Sequence, residues 1–244
     1  MNTPFSLLLA ALMSLGSIAA AEDIEKDTLH TSAGDVEITF VGHATLMLRW
    51  GGKTIDVDPW SRLAGFAGLP PADLVLVTHH HGDHFDTSAI EYVRTPSTVV
   101  VLTAKCAEKY PGGIVMKNGD VKKVLGMIVE AVPAYNIVHR RPDSLLFHPK
   151  GEGNGYIITI GRTRLYIAGD TENTPEMEAL KDIDVAFLPM NLPYTMTPDM
   201  VAAAAKAFTP KILYPYHYSQ TEPKVLLELM KDVKGIEVRI RNMR

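Results

Sequence analysis

Four of the nine histidines in this chain lie within six residues, and an aspartate lies among them. The segment directly follows residues 74–77, an apolar run with the composition of a strand buried on both faces. Its members are His79, His80, His81, Gly82, Asp83 and His84. Imidazole and carboxylate ligands without a thiolate suit zinc, manganese or iron, and an open coordination position makes such a site catalytic. A fold of this chain must therefore present the cluster at the end of a buried strand, where metal ions can bind.

The spacing inside this cluster sorts its ligands into two pairs. In extended backbone, His79 and His81 project to one side of the chain, while the histidine between them faces away. The glycine that follows permits a tight turn, which returns Asp83 and His84 toward the same space. Two metal ions about 3.5–4 Å apart, each contacting one pair, fit this spacing. A solvated or hydrogen-bonded histidine cluster without metal is the alternative interpretation, and the density of the cluster after a buried strand disfavours it.

The first 21 residues have the composition of an export signal. Residues 5–18 are mostly apolar, and three alanines at 19–21 supply the small residues of a cleavage site before two acidic residues. The apolar run is short for a bilayer span, which disfavours a membrane anchor or a buried N-terminal helix. We therefore expect residues 1–21 to be a signal peptide and residues 22–244 a single domain with no membrane span. The expected location is periplasmic or secreted.

The overall composition excludes some classes of function. The net charge is −4 and no basic run occurs, so nothing indicates nucleic acid as a partner. Cys106 is the only cysteine, which rules out a disulfide within the chain and favours a buried, inert thiol.

Short strands interleaved with a few helices fill the chain from residue 36 onward. Strands are predicted at residues 36–41, 45–49, 53–57, 73–77, 98–102, 127–132, 156–160, 164–168, 185–188 and 212–214. Helices are predicted at residues 85–93, 200–208 and 223–233, the second with Thr197 as its N-cap and Pro198 at its first position. This alternation indicates a layered α/β fold, and no internal repeat is evident at the level of residues.

The histidine cluster and four other segments resemble the metallo-β-lactamase superfamily. The pattern of the cluster is His79-x-His81-x-Asp83-His84. The other segments are Gly-His-Ala-Thr at 42–45, Asp-x-Asp-Pro at 56–59, Ala-Gly-Asp-Thr at 168–171 and Pro-Tyr-His-Tyr at 215–218. Their order and spacing are similar to the branch that includes ascorbate-phosphate lactonases and N-acyl-phosphatidylethanolamine phospholipase D. The resemblance implies an α/β fold of the four-layer αββα sandwich type.

The resemblance also implies a ligand set for two metal ions. In that family the histidine pair of the cluster belongs to one metal and the Asp-His pair to the other. The carboxylate that bridges both metals corresponds to Asp170, and the histidine that completes the second metal corresponds to His217. Both residues follow predicted strands, whose ends can present them to a shared site.

The third histidine of the first metal is where this chain departs from the family. The usual position, just after a strand equivalent to residues 129–134, is occupied by Tyr135 and Asn136. The segment Phe-His-Pro-Lys at 147–150 resembles a pattern in this branch, which makes His148 the favoured ligand, with Asn136 and His139 as alternatives. The expected metal ligands are then His79, His81, Asp83, His84, His148, Asp170 and His217.

Two further residues are expected to support these ligands rather than to bind metal. His43 and Asp58 lie in the matching segments, and a carboxylate such as Asp58 can accept the free ring N–H of a ligand histidine. An ordinary turn aspartate before Pro59 is the alternative interpretation of Asp58. Asn191 and Tyr194 lie in a loop that could reach the site.

The resemblance implies a metal-dependent hydrolase. Two divalent metal ions, zinc in the first place with manganese or iron also compatible, would activate water for attack on an ester, a lactone or a phosphodiester. Asp83 is the candidate catalytic residue, which would orient that water and could carry its proton. The expected substrate is a small molecule or a lipid-derived one. A di-iron redox protein and a non-catalytic metal-binding module of the same fold are the alternatives.

Overall fold

Two seven-stranded sheets with flanking helices form the computed structural model, which describes residues 24–244. The first sheet contains β1 Lys26–Thr31, β2 Gly34–Gly42, β3 Thr45–Trp50, β4 Lys53–Val57, β5 Ala72–Leu76, β6 Arg94–Leu102 and β7 Ile114–Val115. The second contains β8 Val121–Val124, β9 Met127–Ala134, β10 Gly153–Ile160, β11 Thr163–Ile167, β12 Val185–Pro189, β13 Ile212–Tyr216 and β14 Glu237–Val238. The predicted αββα architecture is confirmed. The predicted signal peptide lies outside the described residues and stays a prediction.

The helices are short and lie between the strands in the chain. They are α1 Thr87–Val93, α2 Ala104–Ala107, α3 Pro175–Glu178, α4 Pro198–Phe208 and α5 Lys224–Met230, with one turn of 3-10 helix at Phe66–Gly68. Within residues 24–244, no helix has the length and apolar character that a membrane crossing requires. Cys106 is buried in α2, as expected.

The two sheets share one topology. In the first, β1 to β4 pair antiparallel in chain order, and β4 to β7 then pair in parallel. In the second, β8 to β11 pair antiparallel and β11 to β14 pair in parallel. The chain therefore repeats its topology although its sequence shows no repeat, because pairing depends on where strands lie and not on which apolar residues form them.

Strand β5 is buried on both faces, as its apolar composition predicted. Leu74 and Leu76 lie in the core that both sheets share, while Val75 and Val77 pack on the opposite face with residues of α1 such as Ile90. This follows from the alternation of side chains along a strand. The result is a rigid strand that ends directly at the histidine cluster.

Helix α1 begins two residues later than predicted. Asp86 is its N-cap, and the carboxylate accepts hydrogen bonds from the backbone N–H groups of Ser88 and Ala89. The residues before the cap turn instead, since the N–H groups of His84 and Phe85 both donate to the carbonyl of His81. The cluster therefore lies in a tight turn between β5 and α1.

The elements that the sequence did not predict lie mainly at the sheet edges. Strands β1 and β14 pair on one side only. They contain few apolar residues, and their residues are exposed or half-buried. Strand β8 is likewise largely exposed. Such strands form because a neighbour supplies hydrogen bonds, so their own composition carries little signal.

Candidate metal centre

The predicted ligands converge at one edge, where the carboxyl ends of strands from both sheets meet. The cluster at 79–84 follows β5, and Asp58 follows β4 in the same sheet. Asp170 follows β11 and His217 follows β13 in the second sheet. Loops at the carboxyl ends of parallel strands commonly form ligand sites in layered α/β folds.

One group of possible ligand atoms comprises His79, His81, His148 and Asp170. Their ligand atoms all lie within 4.8 Å of one another, and three of the four side chains are buried. The two histidines of the cluster that the spacing placed on one side are therefore brought together, and His148 joins them from the other sheet. His139, one alternative to His148, is not in this group, and the side chain of Asn136, the other, contacts His148 and Glu172.

The second group comprises His43, Asp83, His84 and His217, again with ligand atoms within 4.8 Å. Nε2 of His84 and Nε2 of His217 lie 3.0 Å apart. His43 was expected to support a ligand, and its Nε2 lies 3.0 Å from Oδ2 of Asp83. Its position in the group also allows it to bind metal directly, which the sequence did not indicate.

Asp170 lies between the two groups. Its Oδ2 is 3.2 Å from Nε2 of His148 and 3.8 Å from Nε2 of His79. Its Oδ1 is 3.4 Å from Nε2 of His84 and 3.5 Å from Nε2 of His217. Each carboxylate oxygen therefore faces a different group, which is the arrangement that a bridging ligand requires.

Asp58 contacts a histidine of the second group directly and one of the first group through Thr78. Its Oδ2 lies 2.8 Å from Nδ1 of His84 and accepts a hydrogen bond of 2.6 Å from the Thr78 hydroxyl. A carboxylate only accepts, so Nδ1 of His84 carries the hydrogen, and in the neutral ring Nε2 presents its lone pair to the site. The Thr78 oxygen, whose hydrogen is given to Asp58, lies 3.1 Å from Nδ1 of His79 and can accept from it. The predicted support of a ligand histidine by Asp58 is thus present as a contact.

Two further histidines of these groups have amide partners. Oδ1 of Asn136 lies 2.6 Å from Nδ1 of His148, which directs Nε2 of that ring toward Asp170. The side-chain amide of Asn191 lies 3.1 Å from Nδ1 of His217. Asn136 is therefore a hydrogen-bond partner of His148.

Replacing His148 with alanine is expected to remove one bound metal ion, because it deletes a ligand atom from the first group. Metal content after loading with zinc and desalting, measured by mass spectrometry, checks this. The matched control is His30→Ala, which removes an exposed histidine outside both groups, and His139→Ala tests the alternative ligand. Two tightly bound metal ions in His148→Ala and only one in His139→Ala would instead favour His139 as the ligand.

The two groups differ in electrostatics. Burial lowers the pKa of His79, and burial together with His148 lowers the pKa of His81 to about 4. Burial also opposes a charge on His84, but nearby carboxylates, that of Asp170 foremost, outweigh it and raise the pKa of His84 to about 10. His79 and His81 are thus neutral imidazoles, the form that binds metal, whereas His84 of the second group lies in a field that favours a cation.

The residues present fit metal ions. Two buried atoms, Nε2 of His79 and Oδ1 of Asp170, have no hydrogen-bond partner anywhere in the described part of the chain. Buried polar atoms are nearly always satisfied, and a metal ion would supply the partner to both. The donors are imidazole nitrogens and carboxylate oxygens, a set that suits zinc, manganese or iron. The site can therefore hold two divalent cations.

Three residues of the site adopt left-handed backbone conformations. The φ angles are 52° at His43, 45° at Asp58 and 45° at His217. Such conformations are uncommon for residues other than glycine, although histidine and aspartate tolerate them better than most, and they often occur at functional sites. The tight bends bring the side chains back over the strand ends, and sequence patterns carried no signal for them.

Comparison with known proteins agrees with this geometry. Residues 37–217 match the model of the family described as "Beta-lactamase superfamily domain". The chain is 32% identical over 205 residues to a UPF0173 metal-dependent hydrolase of Thermococcus kodakarensis, an alignment that covers 77% of this chain and 87% of that protein. It is 35% identical over 202 residues to the corresponding Pyrococcus furiosus protein, with the same coverage. A crystal structure of a metal-dependent hydrolase from Parabacteroides distasonis superposes with a TM-score of 0.86 at 46% identity, covering 91% of this chain and all of that one.

Proposed function

The chain belongs to the metallo-β-lactamase superfamily and to its UPF0173 metal-dependent hydrolase family, and on that premise we propose that it hydrolyses an ester, lactone or phosphodiester with two divalent metal ions, zinc foremost. The observation that carries the proposal is the position of Asp170, whose two oxygens face two separate ligand groups. A site for a single structural metal would need only one such group. The proposed ligands are the seven predicted residues, with His43 as a possible eighth.

The proposed reaction divides between the metal ions and the side chains. When bound, the two cations would lower the pKa of a water molecule toward neutrality and polarise the oxygen of the bond to be cleaved. Asp83 is partly exposed, and the rings of His217, 3.7 Å away, and of His43, at a hydrogen-bond distance of 3.0 Å, outweigh its burial and hold its pKa below the usual range. A carboxylate that stays ionised accepts a hydrogen bond from the attacking water. Asp83 is therefore better suited to orient that water than to carry its proton.

The surroundings of the site support a substrate with an apolar part. Large apolar side chains are exposed in two loops beside it: Ile137, Val138, Leu145, Leu192 and Tyr194. The loops touch each other, since the amide of Asn136 donates to the carbonyl of Tyr194 and the rings of Phe147 and Tyr194 pack edge to face. Both ends of the first loop, at Asn136 and His148, lie at the site. These exposed side chains would contact an acyl or aryl group of the substrate.

We expect the zinc-loaded protein to hydrolyse at least one of three classes of test substrate, which together form the panel. The panel contains p-nitrophenyl esters of increasing acyl length, lactones of increasing alkyl length and bis-p-nitrophenyl phosphate. Turnover should fall to background after chelation, return with added zinc and, for the first two classes, increase with chain length. Released p-nitrophenol and proton release in weak buffer are the measurements.

Two outcomes would contradict the proposal. Turnover that survives complete removal of metal would exclude the metal centre from the reaction. A protein that holds two metal ions yet hydrolyses none of the three classes would favour a non-catalytic metal-binding module. Oxygen consumption by the iron-loaded protein, measured in parallel, distinguishes the redox alternative from both.

A further inference from the structure

A fully buried carboxylate, that of Glu172, lies next to the metal centre and accepts an unusual number of hydrogen bonds. It accepts from the backbone N–H groups of Ile137, Val138 and His139 at 2.7, 2.6 and 2.7 Å. Its Oε1 also lies 2.5 Å from Nδ1 of His139 and accepts from the side-chain amide of Asn136 at 3.1 Å. A buried charge is tolerated only when it is satisfied in this way. Because burying a charge costs free energy, a specific role for this carboxylate is expected.

Asn136 connects this carboxylate to a proposed metal ligand. Its amide nitrogen donates to Oε1 of Glu172 and to the carbonyl of Tyr194 at 2.9 Å. Both hydrogens of the amide are therefore engaged, so the group cannot turn without losing two hydrogen bonds. Its oxygen is then held 2.6 Å from Nδ1 of His148. As an acceptor, this oxygen keeps the hydrogen of His148 on Nδ1 and leaves Nε2 to face Asp170.

Backbone hydrogen bonds also hold these residues in place relative to one another. The N–H of Asn136 donates to the carbonyl of His148 at 2.8 Å, which closes the loop between them. The N–H of Glu172 donates to the carbonyl of Tyr135 at 2.9 Å. The carboxylate, the amide and the imidazole are thus attached to one frame, and a displacement of Glu172 moves the other two.

We infer that Glu172 is a positioning residue which, through Asn136, fixes the tautomer and the direction of His148 toward the first metal ion. The inference rests on the proposed function, since it takes His148 as a ligand. Glu172 does not touch the metal site itself and acts through two hydrogen bonds in series. Partners of metal ligands that lie one bond further out typically change metal affinity by about 10- to 100-fold.

Titration of the metal-free protein with Co²⁺, followed by the visible absorption of the bound ion, tests the inference without a substrate. Glu172→Gln is expected to weaken one of two Co²⁺ sites by about 10- to 100-fold and to change its absorption spectrum, while the other site keeps its affinity. Asn136→Ala, which leaves the backbone hydrogen bonds of Glu172 in place, is expected to weaken the same site to a similar extent. It also serves if Glu172→Gln fails to fold.

The double variant separates positioning from a merely structural role. If Glu172 acts through Asn136, adding Glu172→Gln to Asn136→Ala changes the Co²⁺ affinity no further. Additive losses would overturn the inference, as would wild-type affinity at both sites in either single variant. Glu176→Gln is the matched control, since this carboxylate accepts a hydrogen bond from the neighbouring Tyr135 and should leave both sites unchanged.

The same Co²⁺ titration of His148→Ala separates the ligand role of His148 from the positioning role of Glu172. Unchanged binding of both Co²⁺ ions in that variant would remove His148 from the ligand set and so contradict the proposed function. Loss of one site in His148→Ala, together with wild-type binding in Glu172→Gln and Asn136→Ala, would contradict the role of Glu172 alone.

Discussion

Asp170→Asn is expected to reduce hydrolytic turnover by more than about 100-fold, which exceeds the typical effect of losing a partner of a metal ligand. The substitution keeps the shape of the side chain but leaves one oxygen where two face the ligand groups. It also removes a negative charge from a buried position where His217 and His84 hold the pKa of the carboxyl well below its usual range. One ligand group therefore loses the Asp170 oxygen that faces it, and the other keeps an oxygen that no longer carries negative charge.

Metal content and kinetics together check this expectation. The Asp170→Asn protein, loaded with zinc and desalted, should retain at most one tightly bound metal ion and should show a lowered kcat with the best substrate of the panel. Asp199→Asn, an exposed position in the first turn of α4, makes the same chemical change outside the site and should behave as the wild type. Two tightly bound ions and wild-type turnover in Asp170→Asn would show that this carboxylate does not bridge.

The second large effect concerns stability and comes from a carboxylate outside the ligand groups. Asp56 is fully buried on β4, and neither of its oxygens has a hydrogen-bond partner within residues 24–244. Its neighbours on the adjacent strands are Met47 and Val75, which belong to the apolar layer outside the first sheet. Burial raises the pKa of Asp56 from 3.8 to about 7. The neutral acid is therefore the form that the folded protein favours.

The sign of the resulting pH dependence follows from proton binding. Between pH 4 and pH 7 the folded protein holds a proton on Asp56 that the unfolded chain has already released. The stability associated with the protonated acid is fully present below about pH 4 and is lost as the pH rises through about 7. A pKa difference of about three corresponds to about 4 kcal/mol of unfolding free energy.

Asp56→Asn isolates this contribution, because it replaces the acid by a neutral group of the same shape. The unfolding free energy of the variant minus that of the wild type is expected to increase by about 4 kcal/mol between pH 4 and pH 8. Urea unfolding followed by circular dichroism at several pH values gives this difference, in which all other titrating groups cancel. A difference that does not change with pH would mean that Asp56 is ionised in the folded protein or hydrated.

Asp73→Asn is the matched control for this measurement. Asp73 lies on the adjacent strand β5, where it accepts hydrogen bonds from the backbone of Thr54 and from Lys53. These hydrogen bonds lower its pKa, so the stability that it contributes is present at neutral pH and is lost as the pH falls. The variant should therefore show a small pH dependence of the opposite sign.

Much of the fold was predictable because its signals are local. The apolar run of β5, the short strands β2 to β4 and the capped start of α4 each occupy a few consecutive residues, and the structure confirms all of them. The N-cap of α4 is a clear case, since Thr197 accepts from the N–H of Met200 and a proline follows it. The edge strands were missed because a partner strand, and not their own composition, fixes them.

The candidate site was predictable in part. The density of histidines at 79–84 identified the centre, and the family resemblance supplied Asp170 and His217 across the chain. The supporting residues gave no such signal. Glu172 resembles an ordinary surface glutamate in the sequence, and only the structure shows that it is buried and bonded to three backbone N–H groups.

The sequence by itself determined that this chain presents a histidine and aspartate cluster at the end of a buried strand, because ligand type and side-chain alternation are properties of neighbouring residues. Only the tertiary structure shows that His148, and not His139, lies with His79 and His81, and that Asn136 contacts His148. It also decided that the oxygens of Asp170 face two different groups. These outcomes depend on how two sheets approach each other and on which side chains their loops then bring within a few ångströms. No short segment of sequence contains that information.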